Sequence, residues 1–217
     1  MKTKYQLEDL GVVAQGDVWM NWRHARHPHN GTEWALGSLS RGGFGVIDPK
    51  TQTFIQVRPE HPFTCGWAVG QAPNGDIYQC DYCGPLYVWD WKGRQSKIAC
   101  DHRFQSMFTL DVGPDGCVYL PDYTPNIMHR FNPATGRMEN LGDFNALGQH
   151  IRNVFCARDG WVYVNCYSYD PTGGGGVANL AFNPRTGEKY DLKEGGGLTK
   201  DADGHVVISL NRWGRTF

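Results

Sequence analysis

The sequence predicts an all-β fold, a β-propeller of four-stranded antiparallel blades. Three observations carry that expectation. The motif Gly, any residue, Val or Ile, then Trp, Tyr or Val recurs five times. A second turn motif recurs between its copies. The composition is that of a turn-rich β protein: Gly 28 and Pro 12 in 217 residues, 13% aromatic, and no stretch with a helical apolar period.

The first motif stands at Gly16-Asp-Val-Trp19, Gly75-Asp-Ile-Tyr78, Gly116-Cys-Val-Tyr119, Gly160-Trp-Val-Tyr163 and Gly204-His-Val-Val207. Four copies follow Asn or Asp, as in Pro73-Asn-Gly75 and Pro114-Asp-Gly116. Asn-Gly and Asp-Gly favour the positive-φ turn that joins two antiparallel strands, and the β-branched and aromatic residues beyond are strand formers. The second turn reads Asp48-Pro-Lys-Thr51, Asp90-Trp-Lys-Gly93, Asn132-Pro-Ala-Thr-Gly136 and Asn183-Pro-Arg-Thr-Gly187. Each copy has a short apolar strand before it (Val46-Ile47, Tyr87–Trp89, Met128–Phe131, Leu180–Phe182) and another after it. The unit is therefore strand a, tight turn, strand b, loop, strand c, tight turn, strand d, repeated about every 41–51 residues, the period of a propeller blade. A pair of small β-sandwiches is the competing arrangement.

The ends set the blade count. Lys4–Gly11 matches a strand d, while the C-terminal unit has strands a and b and lacks a strand d. Pairing Tyr5–Leu10 with that last unit would give a closed, single-domain ring of five blades over residues 1–217, because unpaired sheet edges are a liability. The alternative is an open fragment of a six- to eight-bladed propeller.

The units Gly113–Tyr119 and Phe131–Arg137 resemble those of the propellers related to virginiamycin B lyase, gluconolactonase and the NHL repeat. The resemblance spans nearly the whole chain at the level of turn and strand consensus, and it implies the fold. Those families include lyases that use a catalytic His with a divalent metal, lactone hydrolases and binding modules. No catalytic motif of theirs matches here residue by residue.

Fold does not fix function, so the site is read from the loops. The a–b and c–d turns share one face and are short. The d–a and b–c loops share the other and carry most reactive side chains. The d–a segments bring His61, His102, Arg103, His150 and Arg152, the expected catalytic group. The segment Asn21–Glu33, read as the first b–c loop, brings Trp22, Arg23, His24, His27 and His29. Further b–c loops bring Tyr82, Tyr123, Tyr169 and Arg212. Together these form the expected ligand-binding set. His24, His27 and His29 are candidate ligands for a divalent metal, since neutral imidazole is a common transition-metal ligand. A His would act as general base and an Arg would hold a carboxylate or stabilise an enolate. Aromatic faces beside Arg, Asp and Asn suit a sugar ring, and they suit a protein partner equally.

The expected activity is that of a lyase or hydrolase acting on a small molecule or carbohydrate. The competing class is a non-catalytic module that binds a protein or glycan through the same face. The balance of 21 Lys and Arg against 22 Asp and Glu, net charge −1, gives no basic surface for nucleic acid or an anionic membrane. No run approaches a membrane span, and the N-terminus carries no apolar signal stretch. Seven scattered cysteines, an odd number, read as free thiols in a reducing cytoplasm. Cys80-x-x-Cys83 lacks a second ligand pair for structural zinc. Trp19, Trp67, Trp89 and Trp161 read as core between blades, and Gly173–Gly176 has no helix or Lys-Ser/Thr after it to make a phosphate loop.

Overall fold

The computed structural model describes residues 19–58, 65–90, 95–123, 126–144, 150–167, 177–192 and 196–209. Eighteen strands run through them as sequential antiparallel meanders. Blade 1 is β1 (Trp19–Arg26), β2 (Glu33–Leu39), β3 (Phe44–Asp48) and β4 (Thr53–Val57). Blade 2 is β5 (Gly66–Gln71), β6 (Ile77–Asp81), β7 (Leu86–Asp90) and β8 (Gln95–Cys100). Blade 3 is β9 (Asp111–Val112), β10 (Val118–Pro121), β11 (Ile127–Asn132) and β12 (Arg137–Asp143). Blade 4 is β13 (His150–Cys156), β14 (Val162–Tyr167), β15 (Val177–Phe182) and β16 (Lys189–Asp191). A two-stranded sheet, β17 (Gly197–Lys200) with β18 (Val206–Ser209), follows as the inner half of a further blade.

Four complete blades are thus present among the described residues, consistent with an open fragment of a larger propeller. The expected fifth four-stranded blade is represented by its two inner strands. The strand Tyr5–Leu10 expected to complete it lies outside the described residues.

Burial follows position in the blade. In blade 2, β6 and the apolar run of β7 are buried on both faces, because a neighbouring blade covers each side. The outermost strands are largely exposed, as in β16, whose three residues all face solvent. Three apolar layers fill the spaces between blades. Leu36, Val46, Val69, Ile77 and Trp89 pack between blades 1 and 2. Leu86, Phe104, Met107, Leu110, Leu120 and Phe131 pack between blades 2 and 3. Phe144, Ile151, Val154, Val164 and Phe182 pack between blades 3 and 4.

Polar side chains latch the blades across these layers. The Gln71 amide pairs with both backbone groups of Arg26 (2.8 and 2.9 Å), and the Gln79 amide does the same at Gly43 (2.9 and 2.5 Å). Asp111 accepts the Cys156 N–H at 2.7 Å, and Thr109 accepts the Val154 N–H at 3.3 Å. Asn165 and Asn179 both donate to the Gly196 carbonyl, holding β17 against blade 4. Each latch satisfies backbone groups that no strand pairing reaches.

The a–b turns correct one expectation. Gly75, Gly116, Gly160 and Gly204 each sit at positive φ and donate to the first carbonyl of their turn, as predicted. In blade 1 the corresponding residue is Gly31 (φ 69°), whose N–H donates to the His27 carbonyl at 2.9 Å, and not Gly16. Measured from Gly31 the repeat runs at 44, 41, 44 and 44 residues. Asn21–Glu33 is therefore no b–c loop. It is most of β1, the turn at residues 27–32 and the first residue of β2, and Arg26 pairs with Glu33 across it. His27 and His29 consequently occupy the a–b end of the propeller, opposite His102 and His150. The gathering of six histidines on one face does not occur.

Candidate functional site

The inner strands surround the axis, and three blades place a residue at the same offset where their chain enters it. The register of β5 slips at Trp67 and that of β13 slips at Arg152. These residues, and Phe108 just before β9, all stand eight positions before their turn glycines. A bulge turns a strand side chain away from its regular direction. The three converge at the d–a mouth: the rings of Trp67 and Phe108 lie 4.8 Å apart at 71°, and the Arg152 guanidinium sits 5.3 Å from the Phe108 ring centre. Tyr82 and Tyr123 flank Phe108 at 5.2 and 4.3 Å. His150 stacks on Tyr123 at 4.0 Å with the rings 9° from parallel, and its Nδ1 lies 3.2 Å from the Tyr123 carbonyl. A carbonyl can only accept, so Nδ1 carries the hydrogen and Nε2 is the basic nitrogen of the neutral ring.

Charge occupies the axis below this mouth. Arg23 on β1 is buried, donating to Asn21 Oδ1 and the Trp22 carbonyl on one side, and to Thr109 Oγ1 (2.9 Å) and the Leu110 carbonyl on the other. Its Nε has no hydrogen-bond partner. Burial pulls the Arg23 guanidinium below its usual range, with Asp111 opposing the shift. Asp111 is itself buried and pairs with the Lys200 ammonium from β17. Lys200 thus pairs directly with the carboxylate, while Arg23 feels it only at longer range.

These groups line a cavity of about 540 Å³ at the a–b end, walled by residues from all five sheets: Arg23–Pro28, Gln71–Pro73 with Gly75, Asp111–Pro114, Cys156 with Arg158, and Lys200–Gly204. At its rim Arg26 spans to the turn of the two-stranded sheet, donating to the Ala202 carbonyl at 3.2 Å and pairing with Asp203 at 2.8 Å.

A third cluster lies between blades 2 and 3. Asp122, His129 and His102 present ligand atoms all within 4.8 Å of one another. His129 Nε2 lies 3.2 Å from Asp122 Oδ2, both side chains being buried, while Asp122 Oδ1 accepts the Gln105 N–H at 3.1 Å. The His102 ring sits 5.0 Å from that of His129 and edge-on to buried Phe104. Burial lowers the His102 pKa, the neighbouring His129 adds to the shift and Asp122 opposes it.

The expected site residues therefore divide among three places. Tyr82, Tyr123, His150 and Arg152 meet at the d–a mouth. Arg23, His24 and His27 line the axial cavity at the opposite end, and His102 belongs to the inter-blade cluster. The Trp22 and Arg103 side chains are exposed, the Trp22 carbonyl accepting from Arg23. His61, Tyr169 and Arg212 lie outside the described residues, as does Gly173–Gly176. His29 borders a separate groove beside Pro73 and Pro133. The metal reading of His24, His27 and His29 fits poorly, because His27 Nδ1 accepts the backbone N–H groups of His29 and Asn30 (3.1 and 3.3 Å) and so serves the turn. Among the described residues the donor group of suitable proximity is the inter-blade one.

The sequence expectations did not include Phe108, Asp111, His129 or Lys200 in the site, placed Asp122 beside Tyr123 in a b–c loop, and assigned Trp67 to the core. For Trp67 and Phe108 a signal existed in their common offset of eight residues before a turn glycine. All seven cysteines are free, and burial raises the thiol pKa of Cys80 and Cys156 well above normal.

No protein-family model matches the chain, and no curated protein sequence matches it. Solved structures share its fold. The hydrazine synthase of Kuenenia stuttgartiensis superposes with a TM-score of 0.59 at 17% identity over 90% of this chain and 56% of that one. An auxiliary nutrient binding protein from Bacteroides ovatus gives 0.60 at 17% identity over 86% of this chain and 46% of its own. Virginiamycin B lyase from Staphylococcus aureus gives 0.60 at 11% identity over 90% and 67%. The chain thus spans about half to two thirds of the length of these propellers, and at such identities the likeness is one of fold.

Proposed function

We propose that this propeller binds a small anionic molecule, carrying a carboxylate or phosphate, in the axial cavity at its a–b end. One observation carries the reading: buried Arg23, hydrogen-bonded to neutral acceptors, and Lys200, paired with Asp111, both line a cavity of about 540 Å³ whose far rim carries Asp201 and Asp203. A buried cation is costly unless compensated, and an anionic ligand would supply the missing charge. Arg158 and His24 at the wall add donors for the same group. The volume is that of a metabolite site rather than a macromolecular interface. The nutrient binding propeller of Bacteroides ovatus gives the binding reading a precedent on this fold.

Calorimetric titration with inorganic phosphate, a uronic acid and a neutral sugar of similar size tests it. Saturable binding of the anions, weakened at least about tenfold in Arg158→Ala and absent for the neutral sugar, is the expected result. Arg158 is exposed, so that variant should unfold as the parent does. Equal affinity for charged and neutral ligands, or none for either anion, rejects the reading.

A second reading rests on the opposite mouth. There His150 offers Nε2 as a base beside the Arg152 guanidinium and the Trp67 and Phe108 rings, a set suited to proton abstraction from a carboxylate-bearing sugar or aromatic substrate. This favours the lyase or hydrolase class. His150→Ala should abolish any such turnover while leaving anion binding at the far end intact.

A further inference from the structure

We propose that His102, Asp122 and His129 form a zinc-class divalent metal site that fastens the connection between β8 and β9 onto blade 3. The argument starts from the connection itself. Residues 101–110 run from blade 2 to blade 3 without joining a strand ladder, yet they deliver Phe108 to the axial mouth and Thr109 to Arg23. Such a segment needs fixed points. It has apolar ones in buried Phe104, Met107 and Leu110, and polar ones in Met107 N–H to the Tyr82 carbonyl and Gln105 N–H to Asp122. His102 lies at its start, above a buried carboxylate and a buried imidazole of blade 3.

The donor set decides the ion. Two imidazole nitrogens and one carboxylate oxygen suit zinc and its transition-metal neighbours, whereas calcium and magnesium prefer oxygen throughout. The 3.2 Å between His129 Nε2 and Asp122 Oδ2 matches the edge of a tetrahedron with bonds of about 2.0–2.1 Å, the usual zinc distances. His102, exposed and on a loop, offers its nitrogen within 4.8 Å of both other ligand atoms, so an inward swing closes the two remaining edges. Asp122 is already aimed by the Gln105 N–H, as carboxylate ligands commonly are by an outer partner. A simple His–Asp pair would leave the second imidazole unexplained. Binding uses both imidazoles neutral, and His129 would carry its hydrogen on Nδ1 when Nε2 takes the ion.

The test uses the full chain, cleared of metal with a chelator and titrated with Zn²⁺ against a chromophoric competitor. One equivalent should bind, raise the thermal midpoint and bind at least about tenfold more weakly in His102→Ala, whose exposed position leaves the apo fold unchanged. Asp122→Asn, of the same shape, is a second variant with the same expected loss. Co²⁺ substitution should give tetrahedral absorption without a thiolate charge-transfer band, separating this site from the seven thiols. Zinc affinity unaltered by His102→Ala, affinity lost instead in His24→Ala, or a thiolate band in the cobalt protein would each overturn the assignment.

Discussion

Asp111 has an energetic role out of proportion to its size. It accepts from the Cys156 backbone, pairs with Lys200 and opposes the desolvation of Arg23, all within the axis. Removing one partner of a buried ionic group leaves the others uncompensated, at a cost of about 3–5 kcal/mol. Asp111→Ala should therefore lose stability of that order in urea unfolding, and Lys200→Met in the same chain should restore part of it. A loss below about 1 kcal/mol would mean that water already screens the group. Alkaline pH probes a different pair of residues. Burial, with Asp115 adding to it, pushes the Cys117 thiol up to about 11 from 9.0, and burial, with Asp76, pushes the Tyr78 hydroxyl up to about 12 from 10.0. Both native pKa values are raised, so their stabilisation is complete below the unfolded values and is lost as pH climbs through the native ones. Unfolding midpoints should hold to about pH 9 and fall between there and 12. Replacing Tyr78 with Phe should flatten the upper part of that decline. None of these roles was legible in the sequence, because Asp111, Lys200 and Arg23 belong to three blades and nothing local marks them as partners.

At the scale of strands and turns the sequence was more informative, and its one failure is instructive. The Asn-Gly and Asp-Gly turns identified the a–b hairpins of blades 2, 3 and 4 and of the last sheet. In blade 1 the same Asn30-Gly31 turn is present, followed by Thr-Glu-Trp instead of x-[Val/Ile]-aromatic. Its hairpin also encloses six residues where the pairing of Gln71 with Ile77 encloses five. The longer turn and the altered consensus hid it, while Gly16-Asp-Val-Trp19 imitated the motif at a spacing of 59. Turn glycines differ in what surrounds them. A Cβ at Gly31 would meet nothing within 4 Å, so Gly31→Ala should cost only the left-handed backbone strain of about 1–2 kcal/mol. At Gly75, φ is 95° and a Cβ would fall 2.5 Å from the Pro28 side chain, which belongs to the neighbouring blade's turn. Gly75→Ala should cost about 1–3 kcal/mol more, the usual range for overpacking. Equal losses in thermal unfolding would show that Pro28 yields freely.

The propeller as a whole is held by contacts that pass from each blade to the next, so the sheet with fewest neighbours reports on the assembly. The period and the four-stranded unit were readable from the sequence, because turn chemistry and strand composition are local. The convergence of residues on the axis was not, since it depends on which strand is innermost and on bulges at Trp67 and Arg152. The two-stranded sheet shows how much such convergence matters. On one side Leu198 is buried and the Gly196 carbonyl accepts from Asn165 and Asn179 of blade 4. On the other, blade 1 reaches it through Arg26, to Asp203 and the Ala202 carbonyl. That ion pair is well exposed, so its own energy is small, about 0.2–1 kcal/mol. Its effect should therefore appear locally and not in the global midpoint. In Arg26→Ala, amide hydrogen exchange at Thr199 to Val207 should accelerate several-fold while protection in β6, β7 and β14 stays unchanged. Unaltered exchange in β17 and β18 would show that blade 4 alone holds this sheet. Acceleration throughout blade 1 would instead locate the main role of Arg26 in its bond with Gln71, whose amide grips the Arg26 backbone from blade 2.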